Sequence, residues 1–399
     1  MKEAKTMTLF DIATQIGIET YPEDMNQVYD EIKDEKEPAC DVNLIKGLEQ
    51  EYGLFGEFCD DICQTAEAIN ADRTRSLWVK TAAAYAEKVS LEETKKIPVP
   101  PADGSKVTAY LPLHILIHLI PVAVKEYKER GFSFEEITEI LASFKTSLSI
   151  VREQTGMAGM TPVYFNWQSN FAKARIYQTE GLQFELRTLP RGAVYLQNTE
   201  TGEVTAVLTD SLFHTSGIQL VGSKGFEDDE GAFLVSFTED EENYYGHRSL
   251  VKTADKEKTV FPKDKWQCVA KPGDDCLSIH IPRKADITPA TLNKAIASAR
   301  KILKQRFPEH KGDRIYAASW ILDPTLEEFL PQSSNLMQFA HRFVRYPQKS
   351  DGMHVFGFVF PKRFESYETL PENSTLTRGL KKVYMEGRYI YYYHGLSFE

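Results

Sequence analysis

The pattern of the chain changes near its middle, and this change constrains the fold more than any other feature of the sequence. Up to about Gln178 the periodic segments are helical, as in "LWVKTAAAYAEKV" and in "FSFEEITEILASFKTSL", which opens with a Ser-x-x-Glu capping box at Ser133 and Glu136. Beyond it, short runs rich in β-branched and aromatic residues take over. We therefore predict an α+β chain with a helical domain at residues 1–178 and a sheet domain at residues 179–399.

The second domain is expected to form a mixed, mostly antiparallel sheet that carries crossover helices. Its first strand candidates are "LQFELRTL", "AVYLQN", "VTAVLT", "FLVSFT" and "CLSIHIP", and later ones are "RIYAASWILD", "HVFGFVF" and "RYIYYYHGL". Helices are predicted from Thr288 to Phe307, over "PTLEEFLP", from Asn335 into "LMQFAHRF", and from Ser374 to Met385.

Composition restricts the partners and the compartment. The formal net charge is -11, and the basic residues form no long run, so nucleic acid and anionic membranes are poor partners. Five scattered cysteines fit a reducing compartment. The N-terminal residues lack the apolar core of a signal peptide, and the apolar stretch Tyr110–Val124 is too short to span a bilayer. We expect a cytoplasmic protein without a membrane segment, and leave a homo-oligomer open.

Pairs of potential metal ligands are present, but their settings favour packing. His114 and His118 are four residues apart, a spacing that can place two imidazoles on one helix face. Their neighbours are apolar and no glutamate lies beside them. Cys268 and Cys276 flank a "KPGDD" turn and could face each other across a hairpin. We assign no metal.

The order of motifs in the second domain carries a resemblance to a known family. The strand "CLSIHIPR", the helix with "LNKAIASARKILKQRFPEH", the strand "YAASWILDP" and then "LEEFLPQSSNLMQFAHRF" follow one another. This order resembles the C-terminal domain of a bacterial family of GNAT-like acyltransferases, and "NWQSNFAKARIYQTEGLQFEL" is similar to the end of their helical N-terminal domain. The resemblance implies an N-acyltransferase that uses acyl-CoA, acetyl or longer, and a small-molecule amine acceptor.

The resemblance also implies where the cofactor would bind. In GNAT proteins acyl-CoA lies in a wedge between two central strands, and its pyrophosphate binds at the turn that follows the first of them. By position these parts are the strand Leu277–Ile281, the turn Pro282–Thr288 and the strand Tyr316–Leu322. The usual Arg/Gln-x-x-Gly-x-Gly/Ala signature is absent, and side chains limit how closely a backbone approaches a phosphate. The alternative is therefore a non-catalytic GNAT-like ligand-binding or protein-interaction module.

Two residues are candidates for the chemistry of acyl transfer. This reaction needs a base for the attacking ammonium and donors for the developing oxyanion. His280 is the candidate base, because imidazole titrates near neutrality; a hydrogen-bonded or solvated histidine is the ordinary alternative. Asp323 could orient a base or recognise an amine, although Asp before Pro is also a common helix-capping arrangement.

Five residues are candidates for contacts with the cofactor. Ile281 ends the strand of the wedge, and Arg283 and Lys284 are the candidate phosphate partners in the turn, where solvated side chains are the ordinary alternative. Ser334 or Asn335 could hydrogen-bond the cofactor, although capping of the helix that follows is the simpler role. The sequence selects no proton donor for the leaving thiolate among its tyrosines.

Overall fold

The computed structural model describes residues 7–360 and 364–399, and the chain divides into two compact units, Met1–Gln178 and Thr179–Glu399. The first unit is helical and the second is built on strands with a few helices. The predicted α+β class is confirmed.

The first unit is a set of capped helices. In the predicted capping box, Ser133 Oγ accepts from the Glu136 N–H at 3.2 Å and Glu136 Oε2 accepts from the Ser133 N–H at 2.7 Å. The helices are α1 (Leu9–Gln15), α2 (Met25–Ile32), α3 (Val42–Tyr52), α4 (Cys59–Ala71), α5 (Arg73–Lys88), α6 (Leu91–Thr94), α7 (Lys106–Glu129), α8 (Phe134–Leu141), α9 (Ser143–Thr155) and α10 (Pro162–Ala172).

Helix α7 runs through the core of the first unit. It contains Pro112 and Pro121, and among residues 7–360 and 364–399 it is the helix long and apolar enough to cross a bilayer. In the structure 72% of its apolar window is buried inside the protein, as in the core helix of a folded domain. His114 lies 3.0 Å from Thr65 Oγ1, and burial lowers the pKa of this histidine to about 3.

The second unit contains two main sheets. Its strands are β2 (Leu182–Thr188), β3 (Ala193–Asn198), β4 (Val204–Leu208), β5 (Ser211–Phe213), β6 (Phe233–Val235), β7 (Phe237–Glu239), β8 (Asn243–Arg248), β9 (Thr259–Pro262), β10 (Trp266–Ala270), β11 (Asp275–His280), β12 (Ile315–Ser319), β13 (Val344–Gln348) and β14 (Tyr392–Leu396), and β1 (Ile176–Thr179) lies across the division between the units. Its helices are α11 (Pro289–Arg306), α12 (Asn335–Ala340), α13 (Phe356–Val359) and α14 (Thr375–Met385).

In the first sheet, β2, β11, β12, β14 and β13 are neighbours in that order. The pairing of β11 with β12 is parallel, and α11 makes the crossover between them; the other three pairings are antiparallel. The second sheet has the order β10, β3, β4, β8, β7, with β9 on β8 and antiparallel pairs throughout. One core joins the two sheets, with Tyr195 and Ala206 packed in the same cluster as Cys276, Tyr316 and Tyr346.

Several sequence predictions of local structure were wrong or incomplete. The expected strand at 354–360 contains the helix α13, because Phe356 turns inward to pack on Tyr384 with the ring centroids 4.7 Å apart. The strand at 314–323 ends at Ser319, whose hydroxyl accepts from the Ile321 N–H and starts a 3-10 turn. The segment 324–331 forms a 3-10 helix over Pro324–Glu328. The strands β1, β5, β8, β9, β10 and β13 were not predicted, and the single strand expected at 233–238 is divided between β6 and β7.

Candidate active site

The two parallel strands of the first sheet separate soon after they meet. Strand β11 pairs with β12 only through Leu277↔Ile315 and Ser278↔Tyr316. Beyond these pairs β11 follows β2 as far as His280, whereas β12 follows β14 as far as Ser319. The carboxyl ends of β11 and β12 are therefore not paired with each other, and we call this unpaired part of the two strands the wedge.

The face of the first sheet at the start of the wedge is polar. Ser278 is directly opposite Glu185 on β2 and Tyr316 on β12, so their side chains project from the same face. His280 is two residues further along β11 and shares that face. This alternation gives one strand a polar face, while Leu277 and the other intervening residues point to the opposite side.

His280 contacts a carboxylate that the sequence did not reveal as its partner. Its Nε2 lies 2.9 Å from Glu185 Oε2, with 29% of the histidine side chain and 6% of the glutamate side chain exposed. A carboxylate accepts hydrogen bonds, so in the neutral ring this contact assigns the proton to Nε2 and the lone pair to Nδ1. Arg187 Nη1 lies 3.8 Å from the same Glu185 oxygen, and the Arg187 guanidinium lies over the Tyr316 ring at 5.2 Å.

A second histidine lies on the same face of the sheet. His394 on β14 has its Nδ1 2.8 Å from Tyr316 Oη and 3.4 Å from Tyr346 Oη. Desolvation, with a smaller effect of Arg187, lowers the pKa of His394 to about 3. The ring is therefore neutral at physiological pH, and Tyr316, whose own pKa is raised by burial, donates its proton to Nδ1.

The turn after β11 contains the proposed phosphate partners. Arg283 and Lys284 are exposed, and Ile281 is half-buried beside them. The Ala285 N–H donates to the Pro282 carbonyl at 3.0 Å, and Lys284 has φ 68°, a left-handed conformation that glycine adopts with least strain.

A carboxylate holds the amino end of α11. Asp286 Oδ1 accepts from the Thr288 N–H at 2.8 Å, and its Oδ2 accepts from the Thr291 hydroxyl at 2.6 Å. These hydrogen bonds lower the pKa of Asp286, so the group is anionic at neutral pH. A phosphate at the start of α11 would lie close to this negative charge.

Asp323 is buried and bound to the backbone. Its Oδ1 accepts from the Thr325 N–H at 2.7 Å and its Oδ2 accepts from the Tyr391 N–H at 2.6 Å. Only 1% of the residue is exposed, and burial raises the pKa of its carboxyl to about 6 despite these bonds. Asp323 was a candidate for catalysis and for helix capping. Its observed contacts are those of a cap that joins two segments of backbone.

Ser334 and Asn335 stand at the start of α12. Ser334 Oγ accepts from the Met337 N–H at 3.3 Å, so the capping role is confirmed for Ser334, and Asn335 is the exposed first residue of the helix.

Cys268 and Cys276 are not bonded to each other; Cys268 is exposed on β10 and Cys276 is buried on β11. Within residues 7–360 and 364–399, no three His, Cys, Asp or Glu side chains form a group that could hold a metal.

Solved structures of similar shape cover nearly the whole chain. A variant of an acyltransferase in complex with octanoyl-CoA has a TM-score of 0.66 and 17% identity, over 98% of this chain and 99% of its own. An acyltransferase in complex with decanoyl-CoA and teicoplanin has a TM-score of 0.63 and 18% identity, and one with CoA and 10C-teicoplanin has 0.65 and 17%, each over 98% of this chain and 99% of its own. At these identities the similarity establishes the fold.

The sequence itself gives the family. No curated protein sequence matches the chain. Residues 176–397, more than half of the chain, match the family described as the GNAT-like C-terminal domain, from the first residue of β1 to the residue after β14. The chain therefore belongs to the GNAT-like C-terminal domain family.

Proposed function

We propose that the protein is an acyl-CoA-dependent N-acyltransferase, which moves an acyl group from the thioester to an amine by direct attack. The observation that carries this proposal is the wedge, whose parallel pairing stops after Ser278↔Tyr316 and whose polar face holds the His280–Glu185 pair at 2.9 Å. Strand edges that are not paired with each other offer backbone N–H and C=O groups to an extended ligand such as the pantetheine arm. A histidine beside it supplies a base.

The similar structures support a thioester of CoA with a medium-length acyl chain. They hold octanoyl-CoA, decanoyl-CoA or CoA, and two of them also hold a teicoplanin glycopeptide. For this chain we propose the same class of co-substrate and a small-molecule acceptor with an amine. The cytoplasmic location and the homo-oligomer stay predictions from the sequence.

His280 is the proposed base and Glu185 its positioning residue. The Nδ1 lone pair of His280 removes a proton from the acceptor ammonium, and the positive charge that forms on the ring is stabilised by the Glu185 carboxylate at Nε2. Arg187, 3.8 Å from the same carboxylate, balances part of its charge. We propose that Asp323 acts on the chemistry only through the backbone that it holds.

The proposed path of the cofactor follows β11 and its turn. The Leu277 N–H donates towards β12, to the Arg314 carbonyl at 3.0 Å, and N–H groups on the same side recur at every second residue, including Ile281. Ile281 is therefore placed to bind the pantetheine amide groups, and Arg283 and Lys284 to bind the phosphates. Ser334 and Asn335 are proposed contacts along the same arm.

One observation favours the non-catalytic alternative. Asp286 occupies the amino end of α11 with its own carboxylate, where a family member with the glycine signature would present free backbone N–H groups. A protein that had replaced the phosphate with this internal anion would keep the sheet and bind a different ligand or a protein. Asp286→Ala should strengthen CoA binding if the carboxylate competes with the phosphate.

Isothermal titration with octanoyl-CoA tests the proposal. We expect micromolar binding by the wild-type protein, and Arg283→Ala/Lys284→Ala should raise Kd by about 10- to 100-fold because two charge-assisted contacts are lost. Octanoyl-pantetheine, which lacks the nucleotide phosphates, should bind the wild type and this variant equally. Absence of binding to acetyl-, octanoyl- and decanoyl-CoA alike would contradict the hypothesis that the protein uses acyl-CoA.

A charge-matched variant controls for the change in net charge. Lys301 and Lys304 are exposed on the distal half of α11, and Lys301→Ala/Lys304→Ala removes the same two positive charges. Its affinity for octanoyl-CoA should stay within about twofold of the wild type, since exposed distant charges are screened at physiological salt. An equal loss in both double variants would mean that net charge, and not the turn, governs binding.

A further inference from the structure

Ser278 stands where the two strands of the wedge part. It is the last residue of β11 that pairs with β12, opposite Tyr316, and on its other side it pairs with Glu185. Its side chain shares a sheet face with Glu185 and with His280, which lies two residues further on. This single position thus adjoins both the wedge and the proposed base.

The hydroxyl of Ser278 is buried and has no hydrogen-bond partner among the residues that the structure describes. Ser278 is 1% exposed, and its Oγ is among the buried side-chain oxygens without a partner. Other buried serines are satisfied: Ser169 Oγ donates to the Phe165 carbonyl at 2.8 Å, and Ser143 Oγ accepts from Gln168 at 3.0 Å. A buried hydroxyl without a partner costs about 1–3 kcal/mol, so its retention at this place needs a reason.

We infer that Ser278 donates a hydrogen bond to the carbonyl oxygen of the bound thioester and stabilises the oxyanion that forms there. The inference rests on the proposed function and adds a catalytic residue to it. Two residues along a strand span about 6.6 Å, so the donor on Ser278 and the base on His280 can lie on either side of a tetrahedral carbon. Donors of this kind act most strongly in a site from which water is excluded.

Ser278 assists the addition of the amine to the thioester carbonyl. The amine nitrogen, deprotonated by His280, forms the C–N bond, and the π pair of the thioester C=O moves onto oxygen, where the Ser278 hydroxyl donates to it. Collapse re-forms the C=O bond, breaks the C–S bond and releases the CoA thiolate. The extra proton on the attached nitrogen passes to the departing CoA sulfur, the proton held by His280 passes to solvent, and Ser278 keeps its own proton throughout.

Infrared spectroscopy of bound octanoyl-CoA, labelled with ¹³C at the thioester carbonyl, tests the inference without an acceptor. A hydrogen bond from Ser278 lowers the frequency of the C=O stretch, so Ser278→Ala should return it towards the value in an apolar solvent, while Ser278→Thr, which keeps a hydroxyl, should preserve most of the shift. With hydroxylamine as a probe acceptor, Ser278→Ala should also lower kcat about 100-fold with little change in the KM for octanoyl-CoA.

Thermal unfolding separates this role from a structural one. Because Ser278 Oγ makes no hydrogen bond in the described structure, Ser278→Ala removes an unsatisfied group, and its Tm should equal or exceed that of the wild type. An unchanged carbonyl frequency in Ser278→Ala, or a loss of activity that only parallels a lower Tm, would overturn the inference alone. A wild-type protein that binds no octanoyl-CoA would overturn the proposed function, and this inference with it.

Discussion

His280 and Glu185 are 95 residues apart in the chain and 2.9 Å apart in space. The register of β2 on β11 makes this contact, since Ser278 pairs with Glu185 and His280 pairs with Gln183. Glu185 is 5% exposed, so its carboxylate is kept out of bulk solvent and acts on the histidine with little screening. At the scale of single residues, this contact gives the His280 ring a fixed orientation and, because a carboxylate accepts at Nε2, a fixed tautomer.

The two residues should affect turnover differently. We expect His280→Gln to lower kcat for thiol release from octanoyl-CoA about 100- to 10,000-fold, because the base is lost. Glu185→Gln should lower kcat about 10- to 100-fold with a nearly unchanged KM, because the base remains but loses its carboxylate partner. Steady-state kinetics with a primary alkylamine as acceptor, which is an ammonium ion at neutral pH, provide the measurement.

An exposed carboxylate serves as the matched control. Glu203, which forms a surface ion pair with Arg248 at 3.2 Å, can be changed to Gln with the same change of charge. We expect no effect of Glu203→Gln on kcat. If Glu185→Gln keeps the wild-type kcat as well, the carboxylate has no part in the reaction.

The sequence indicated His280 and the turn at Arg283 and Lys284, but not the partners that define the site. His280 could be found because it alternates with apolar residues in one short strand. Glu185 and Ser278 are brought together by the pairing of two strands that are distant in the chain. The register of such a pairing is set by tertiary packing, so their proximity could not be predicted from the sequence. The available signal was a single carboxylate at the centre of the apolar run "LQFELRTL".

At the scale of elements, Asp323 fastens the segment after β12 to the segment before β14. Its two oxygens accept from the N–H groups of Thr325 and Tyr391, at 2.7 and 2.6 Å. The pKa of about 6 for this carboxyl, against an ordinary 3.8, shows that burial outweighs the hydrogen bonds. The protonated form is favoured in the folded state, so folding takes up a proton between these two pH values.

Stability should therefore fall as pH rises from about 4 to about 6, by about 3 kcal/mol from this group alone. Asp323→Asn cannot titrate, so the difference in unfolding free energy between wild type and variant should shrink over this window. The variant is expected to be less stable at every pH, because its amide nitrogen cannot accept from the second N–H. Urea unfolding at pH 4, 5, 6 and 7 measures the difference.

Asp286 provides a control of opposite sign. Its pKa is lowered by hydrogen bonds from Thr291 and Thr288, so its contribution to stability is present above its ordinary pKa and is lost as pH falls. The difference between wild type and Asp286→Asn should grow as pH rises. A difference for Asp323→Asn that also grows with pH would contradict the assignment of a raised pKa to Asp323.

The elements themselves were predicted where local signals and tertiary packing agree. The helix expected from Thr288 to Phe307 is α11, capped by Thr288 with Pro289 in its first turn. The strand β13 was missed because "VRYPQ" carries a proline, which is tolerated here since β13 is the last strand of its sheet. The aromatic segment 354–360 suggested a strand, and its rings instead pack around a short helix.

At the scale of the whole molecule, the change of sequence pattern near Gln178 coincides with the division into two compact units. Solved folds of the same kind extend over 98% of the chain, and the family match covers residues 176–397. Composition and periodicity were sufficient for the fold class because they are averages over many residues. The candidate site depends on a few contacts within the second unit, and composition and periodicity do not predict individual contacts.

The wedge also leaves backbone groups of the second unit without a partner strand. Past Ser278 and Tyr316, the facing edges of β11 and β12 no longer bind each other, so the N–H of Ile281 should exchange rapidly with solvent deuterons. At 100 times its Kd, octanoyl-CoA should stabilise the fold by about 2.7 kcal/mol, and the exchange at Ile281 should slow. Unaltered exchange at saturation would place the ligand elsewhere. If the exchange does slow, the thioester stabilises the folded state as well as serving as a substrate. Its concentration would then affect how long each copy of the protein survives proteolysis.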